Sequence, residues 1–417
     1  MKRQIIAGAL SLALMLSVLF SLSGCSAAQV VDLMAGVKVN AASNDIDLTG
    51  DDSEAIAGFA VELFQNTVSP DGNLLISPLS VLCALAMTAN GAEDQTLAQM
   101  EDVIGLSVQD LNEYLHAYLE SLPAGDKYKV SLANSIWFRD DDRLTVEQDF
   151  LQANADYYGA SVYKTAFDNA TLKDINDWVS DNTDGMIEDI LDEIPDGAVM
   201  YLINALAFDA EWQNIYKESQ VHEGTFTTES GEARNVEMMY GSEHLYLEDG
   251  NATGFIKYYA GRKYAFAALL PNEGILLGDY IASLTGAGFM STLQNARDVQ
   301  VNTAIPKFES EYSVEMSDIL NSMGMTNAFD AGLADFTGLG VWEDGNLFIN
   351  RVIHKTYIAV DEKGTRAGAA TAVEMFAGSA PAEESKTVYL DRPFVYMLID
   401  SETNLPLFIG AVTDIGS

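Results

Sequence analysis

Residues 361–378 read DEKGTRAGAATAVEMFAG. They separate two apolar, strand-like segments, RVIHKTYIAV at 351–360 and KTVYLDRPFVYMLI at 386–399, and match neither in composition. Counted in twos from Thr365, one set is Thr365, Ala367, Ala369, Thr371, Val373 and Met375, all small or apolar. The other is Arg366, Gly368, Ala370, Ala372, Glu374 and Phe376, and it holds both charges. That is the pattern of a strand with one buried face and one wet face. Ala and Gly are poor strand formers, so an ordinary strand is not built this way. Taken alone, the stretch reads first as an Ala-rich surface helix or a plain loop, because Ala has the best helix propensity. The rest of the chain turns that reading. The segment is expected to be able to become a strand while it is held as a loop.

Outward from this stretch, Phe348–Val360 reads as a long strand, and 387–400 and 405–412 as the two last strands. Ser313–Met323 has helical spacing. From about 221 to 305 the chain is strand-rich, with Asn and Gly turns and one helix near 278–294. Ala198–Phe208 is nearly all apolar and so belongs in the middle of a sheet; Val130–Phe138 is a second strand. Helical patterns cover about 94–104, 108–121, 147–159 and 171–183. Ser77-Pro78 opens a helix, Ser as cap and Pro in the first turn. That helix, Leu79–Asn90, is apolar all round and is expected to be buried, and Gly91 ends it. Leu74–Ile76 is a short strand, and Ser53–Val68 a helix with Ile56, Phe59, Ala60, Leu63 and Phe64 on one side. No Pro-rich linker, repeat or low-complexity tract divides the body, which reads as one α+β domain over 53–417.

The chain has 417 residues and a net charge of −40, from 62 acidic and 22 basic side chains. Such a surface repels nucleic acid and heparin-like polyanions and argues against both as partners. The N-terminus is basic at Lys2-Arg3, apolar from Ile5 to Phe20, and closes with Leu22-Ser23-Gly24-Cys25. Residues 1–24 therefore read as an export signal. The LSGC ending resembles a bacterial lipobox. That resemblance implies cleavage before Cys25, a lipid on its sulfur, and a protein on the extracellular face of the cell membrane, or secreted. Residues 25–52, rich in Ala, Asn, Asp and Val, read as a tether between anchor and domain.

No GxSxG elbow, HExxH, CxxC, Walker loop or complete GxGxxG occurs. The four histidines, His116, His222, His244 and His354, are far apart in sequence. Cys83 lies in the apolar helix and reads as an inert core thiol. Asp140–Asp142 lacks calcium-loop spacing. No cofactor or metal is expected, and nothing in the sequence points to an enzyme.

Seven blocks, in order, resemble the serpins. They are NLLISPLSVLCALAMTANGA at 73–92, INDWVSDNTDGMIEDIL at 175–191, YLINALAFDAEW at 201–212, IPKFESEYSVEMSDILNSMGMTNAFD at 305–330, ADFTGL at 334–339, LFINRVIHKTYIAVDEKGT at 347–365 and VYLDRPFVYML at 388–398. The resemblance implies a fold of three β-sheets with about nine helices and an exposed reactive loop over 361–378, held in a metastable state. It implies a monomeric suicide-substrate inhibitor of serine proteases. The protease attacks the loop, an acyl-enzyme forms, and the cut loop inserts into the main sheet before water can release it. A non-inhibitory serpin, used for binding or structure, is the alternative; bulky or charged residues on the inward set would mark it, and there are none.

The same resemblance assigns individual residues. Glu362 opens the hinge, Gly364 gives it freedom, and Thr365, Ala367, Ala369 and Thr371 are small enough to enter the sheet. Ser77, Ser80, Asn204 and His354 match the cluster beneath the opening, and Trp212 the tryptophan where insertion begins. Arg366 and Gly368 depart from the family pattern, both on the wet face. The family's usual spacing from Glu362 puts the scissile bond at Gly378-Ser379. Ala377 and Gly378 suit elastase-like or subtilisin-like proteases; Met375 or Phe376 would instead invite chymotrypsin-like cleavage.

Overall fold

The structure, a computed structural model, describes residues 30–40, 46–68, 72–122, 125–195, 197–365 and 385–416. The signal segment with Cys25, and the loop positions Ala367, Ala369, Thr371, Met375, Phe376, Ala377, Gly378 and Ser379, lie outside the described residues. Strands and helices are numbered along the chain.

The described residues form three sheets and nine helices. The first sheet runs β1 (Val31–Asp32), β5 (Ser161–Thr165), β3 (Tyr128–Arg139), β6 (Met200–Glu211), β15 (Gly364–Thr365), β14 (Ile353–Val360), β12 (Phe308–Glu315). The second runs β16 (Lys386–Tyr389), β11 (Arg297–Pro306), β8 (Ala233–Glu248), β9 (Ala252–Tyr258), β10 (Tyr264–Pro271), β17 (Phe394–Asp400), β18 (Pro406–Val412), β2 (Leu74–Ile76), with β7 (Val221–Thr227) also paired to β8. A third joins β13 (Gly340–Trp342) to β4 (Leu144–Val146). The helices are α1 (Asp51–Thr67), α2 (Pro78–Ala89), α3 (Asp94–Ile104), α4 (Val108–Glu120), α5 (Gln148–Tyr158), α6 (Asn169–Asn182), α7 (Leu277–Ser283), α8 (Gly286–Gln294) and α9 (Ser317–Met323). No described helix is long and apolar enough to cross a membrane.

β6 explains the layering. Its side chains alternate between two cores. Tyr201, Ile203 and Ala205 join Trp137, Ile175 and Val179 beneath α6. Met200, Leu202, Leu206, Phe208 and Ala210 join the large core shared with α2 and the second sheet. Both faces are covered, so nearly every position is apolar and buried. The polar exceptions are Asp209 and Glu211 at its end and Asn204 in its middle, on the α2 side. Opposite it, α2 is buried along its whole length, with Pro78 at its start and the Ser77 hydroxyl accepting from the Ser80 N–H. α6 is capped by Asp168, which accepts from the N–H groups of Ala170 and Thr171.

Five expectations differ from the structure. The strand read from Phe348 begins only at Ile353, and 387–400 is two strands, β16 on β11 and β17 between β10 and β18. Ser313–Glu315 continues β12 and the helix begins only at Ser317. The alternation of Phe308, Ser310, Tyr312 and Val314 with Glu309, Glu311 and Ser313 holds the strand against β14 to that point. The helix near 278–294 is two helices broken at Leu284-Thr285, where the Thr285 hydroxyl caps α8. The 25–52 segment is not wholly a tether. Val31 and Asp32 pair with Lys164 and Tyr163 of β5. Leu33, Met34 and Val37 pack against the core, and Asp156 on α5 accepts from the backbone and side-chain N–H groups of Asn40. Only two residues pair there, too few to show a period.

Candidate functional site

The seat of interest lies between β6 and β14. Gly364 and Thr365 occupy its upper end, with Gly364 opposite Glu211, and Thr365 between Ala210 on one side and Val360 on the other. Thr365 is buried and its hydroxyl meets that of Tyr259 at 2.5 Å. Below Thr365, β6 and β14 share no ladder among the described residues: β14 pairs with β12 and β15, and β6 with β3 and β15. Gly364 serves by its missing side chain rather than by an unusual φ. A Cβ there would stand 2.0 Å from the Ala210 carbonyl oxygen.

The chain turns from β14 into β15 over Asp361–Lys363, and three consecutive carbonyls of that turn are held by the segment after β6. The Trp212 indole N–H donates to Asp361 O at 2.8 Å, the Tyr216 N–H to Glu362 O at 2.9 Å, and the Trp212 N–H to Lys363 O at 2.8 Å. Trp212 is buried and stacks on Tyr259, ring centroids 4.4 Å apart. Glu362 reaches Lys307 at 2.8 Å, and the hydrogen bond from that ammonium pulls the Glu362 carboxyl below its ordinary range.

Lower in the same gap, a buried polar chain links the two strands through α2. The Ser77 N–H donates to His354 Nε2 on β14 at 3.0 Å. The Ser80 N–H donates to Ser77 Oγ at 3.2 Å, and the Ser80 hydroxyl donates to Asn204 Oδ1 on β6. Asn204 Nδ2 then donates to Asn134 Oδ1 on β3, its cross-strand neighbour. The Thr356 hydroxyl donates to Leu75 O at 2.8 Å. Burial pushes the His354 imidazole down to about 4, so it is neutral and its Nε2 is free to accept. The structure thus brings Ser77, Ser80, Asn204 and His354 together at one place and Trp212, Glu362, Gly364 and Thr365 at another. Sequence reasoning missed Asn134 and Thr356. Their signal was a polar residue at a core-facing position of an apolar strand.

In front of the gap lies the segment 183–199 that follows α6. It packs through Ile187, Ile190 and Leu191 on the core beneath α6. Toward β12 and β14 it leaves two clefts of about 330 and 280 Å³, lined by Glu188, Asp189, Glu311 and Lys355, and by Glu193, Glu315 and Arg351. No cluster of His, Cys, Asp or Glu among the described residues could hold a metal. Cys83 is fully buried, its thiol pushed up to about 12 by burial. Asp141 is bound by Arg143 and Asp140 lies 3.5 Å from Lys164, which makes this acidic turn a structural one.

The site is thus a sheet parted between two strands, with the head of the connecting loop seated in the parting. A family model, Serpin (serine protease inhibitor), matches residues 54–415. The chain belongs to the serpin family, whose members are mostly protease inhibitors rather than enzymes. It is 31% identical to human Serpin B4 over 86% of this chain and 98% of that one. It is 29% identical to the leukocyte elastase inhibitor of Equus caballus over 86% and 98%. Among solved structures, the thermophilic serpin tengpin in its native state is similar at 48% identity and a TM-score of 0.88, over 93% of this chain and 100% of that one. Tengpin in its latent state follows at 46% and 0.79, over 89% and 99%.

Proposed function

We propose that the chain inhibits serine proteases as a suicide substrate. The observation that carries this reading is the seat of Gly364 and Thr365 between two strands that share no ladder below them. The register there is antiparallel on both sides. An inserted loop that kept this register would bring Ala367 between Phe208 and Ile358, Ala369 between Leu206 and Thr356, and Thr371 between Asn204 and His354. All of these neighbours face the core between the sheets or the polar chain beside α2, as Thr365 does. Small side chains enter such a core without overpacking it. The cut loop would close two ladders at once, and each hydrogen bond contributes about 1 kcal/mol net. That gain drives the loop in while the protease is still esterified to it.

The target class follows from the loop. With Gly378-Ser379 as the scissile bond, Ala377 and Gly378 fit shallow pockets, elastase-like or subtilisin-like. The similarity to a leukocyte elastase inhibitor supports the first. Incubation with pancreatic elastase or subtilisin is expected to yield a complex that survives denaturing electrophoresis, with cleavage at 378–379 by mass spectrometry. A cut loop with no such complex would replace this reading by the non-inhibitory one.

A further inference from the structure

A buried cation beside the hinge has no role in the account so far. Lys257, on β9, is 2% exposed. Its ammonium lies 2.8 Å from Glu243 on β8 and donates to the carbonyl of Asn214 at 3.2 Å. It also sits over the rings of Tyr216, 4.4 Å away, and Trp212, 5.2 Å away. The carbonyl and the two rings that meet the ammonium all belong to 212–216, the segment that binds the three carbonyls of the hinge turn. An ammonium taken out of water is costly unless it is paired, and a well-packed apolar side chain would be at least as stabilising. A cation kept in such a place fixes geometry.

We propose that Lys257 is a positioning residue for loop insertion: with Glu243 as its counter-ion, it clamps the 212–216 segment so that Asp361–Lys363 are presented in register with the gap. The role in inhibition rests on the reading above; the clamp itself does not. Loss of the ammonium releases Asn214 O and removes the cation from both rings. The 212–216 segment then wanders relative to the hinge turn, and the head of the loop is seated less often.

The test compares Lys257→Met with the double variant Lys257→Met/Glu243→Gln, using full-length protein. The first keeps the aliphatic stem but leaves Glu243 unpaired; the second leaves no unpaired charge and so remains foldable if the first does not. Amide hydrogen exchange is read on the intact protein without protease. In both variants, exchange at Trp212, Tyr216 and Thr365 is expected to rise at least about tenfold, with α2 and β17 unchanged, as for a local opening. The double variant should also consume several molecules per protease trapped, at an unchanged rate of loop cleavage. If the double variant exchanges like the wild type, the pair only neutralises itself and the clamp is refuted. If the wild type forms no complex at all, the inhibitory reading fails, and the exchange data still decide the clamp.

Discussion

His354 is the most sharply placed titratable side chain in the gap. Its pKa is held at about 4 by burial, against 6.5 for the free group. The unfolded chain therefore binds this proton at a higher pH than the folded chain does. Stability tied to His354 is complete above pH 6.5 and is lost as pH falls from there toward 4. The gap corresponds to about 3 kcal/mol. Protonation of Nε2 also removes the acceptor for the Ser77 N–H, the only link from β14 into the polar chain on that nitrogen. Urea midpoints at pH 7.5 and 4.5 for the wild type and His354→Gln should differ in their pH dependence by this amount. Parallel slopes would remove His354 from the account. Ser77, Ser80, Asn204 and His354 could be named from sequence only because four family positions matched. Nothing in their local pattern separates a linking residue from a core polar group bonded to its own turn. Lys257 was invisible for a similar reason: GFIKYYAG has no clean alternation to say which way the lysine faces, and its partners Glu243 and 212–216 are brought to it only by the fold.

β15 is two residues long, and its first residue tolerates no side chain. Gly364→Ala would drive a methyl group against the Ala210 carbonyl and push β15 off β6. The expected cost is about 1–3 kcal/mol, as for other overpacked sites. It is read as a lower urea midpoint, together with loss of exchange protection at Thr365. Unchanged protection would mean that the strand is not set by this close approach. Elements with a strong local signal were legible in the sequence: the periodic α1, the apolar run of β6, and α2 with its Ser77-Pro78 start fall within a few residues of expectation. Those misread had conflicting signals. Ser313–Glu315 carries helix-forming neighbours, but β14 offers eight residues of ladder, and the ladder wins. Val31–Asp32 has no signal of its own; it is a strand because β5 would otherwise present a bare edge.

At the scale of the whole molecule, the proposed mechanism requires two states of the first sheet, the described one and one in which β15 is longer. In the described state the first sheet has seven members, two of them, β1 at its edge and β15 inside it, only two residues long. Lengthening β15 by about ten residues would add hydrogen bonds on both sides, on the order of ten in all, at about 1 kcal/mol net each. At roughly 2 °C per kcal/mol for a domain of this size, the chain cut in its loop should melt about 20 °C higher than the intact chain, by differential scanning calorimetry. A cut form that melts no higher would mean that no free energy is stored. The strand-rich end of the domain and its apolar helices could be foreseen from pattern; the parting of β6 from β14 could be foreseen only through the family resemblance. One strand reads as central and the other as long, and a missing ladder leaves no mark on either sequence.

Trp212 gives the parting a readable signal. Its indole is stacked on Tyr259, hydrogen-bonded to the hinge turn, and one bond removed from Thr365. A lengthening β15 grows away from it, starting from the Thr365 that Tyr259 holds, so its emission should change as the head of that strand is drawn in, without any added label. A stopped-flow trace of that light, set beside the appearance of cut peptide, would time the two events separately, and under the proposed mechanism the interval between them is the period in which water can still free the protease.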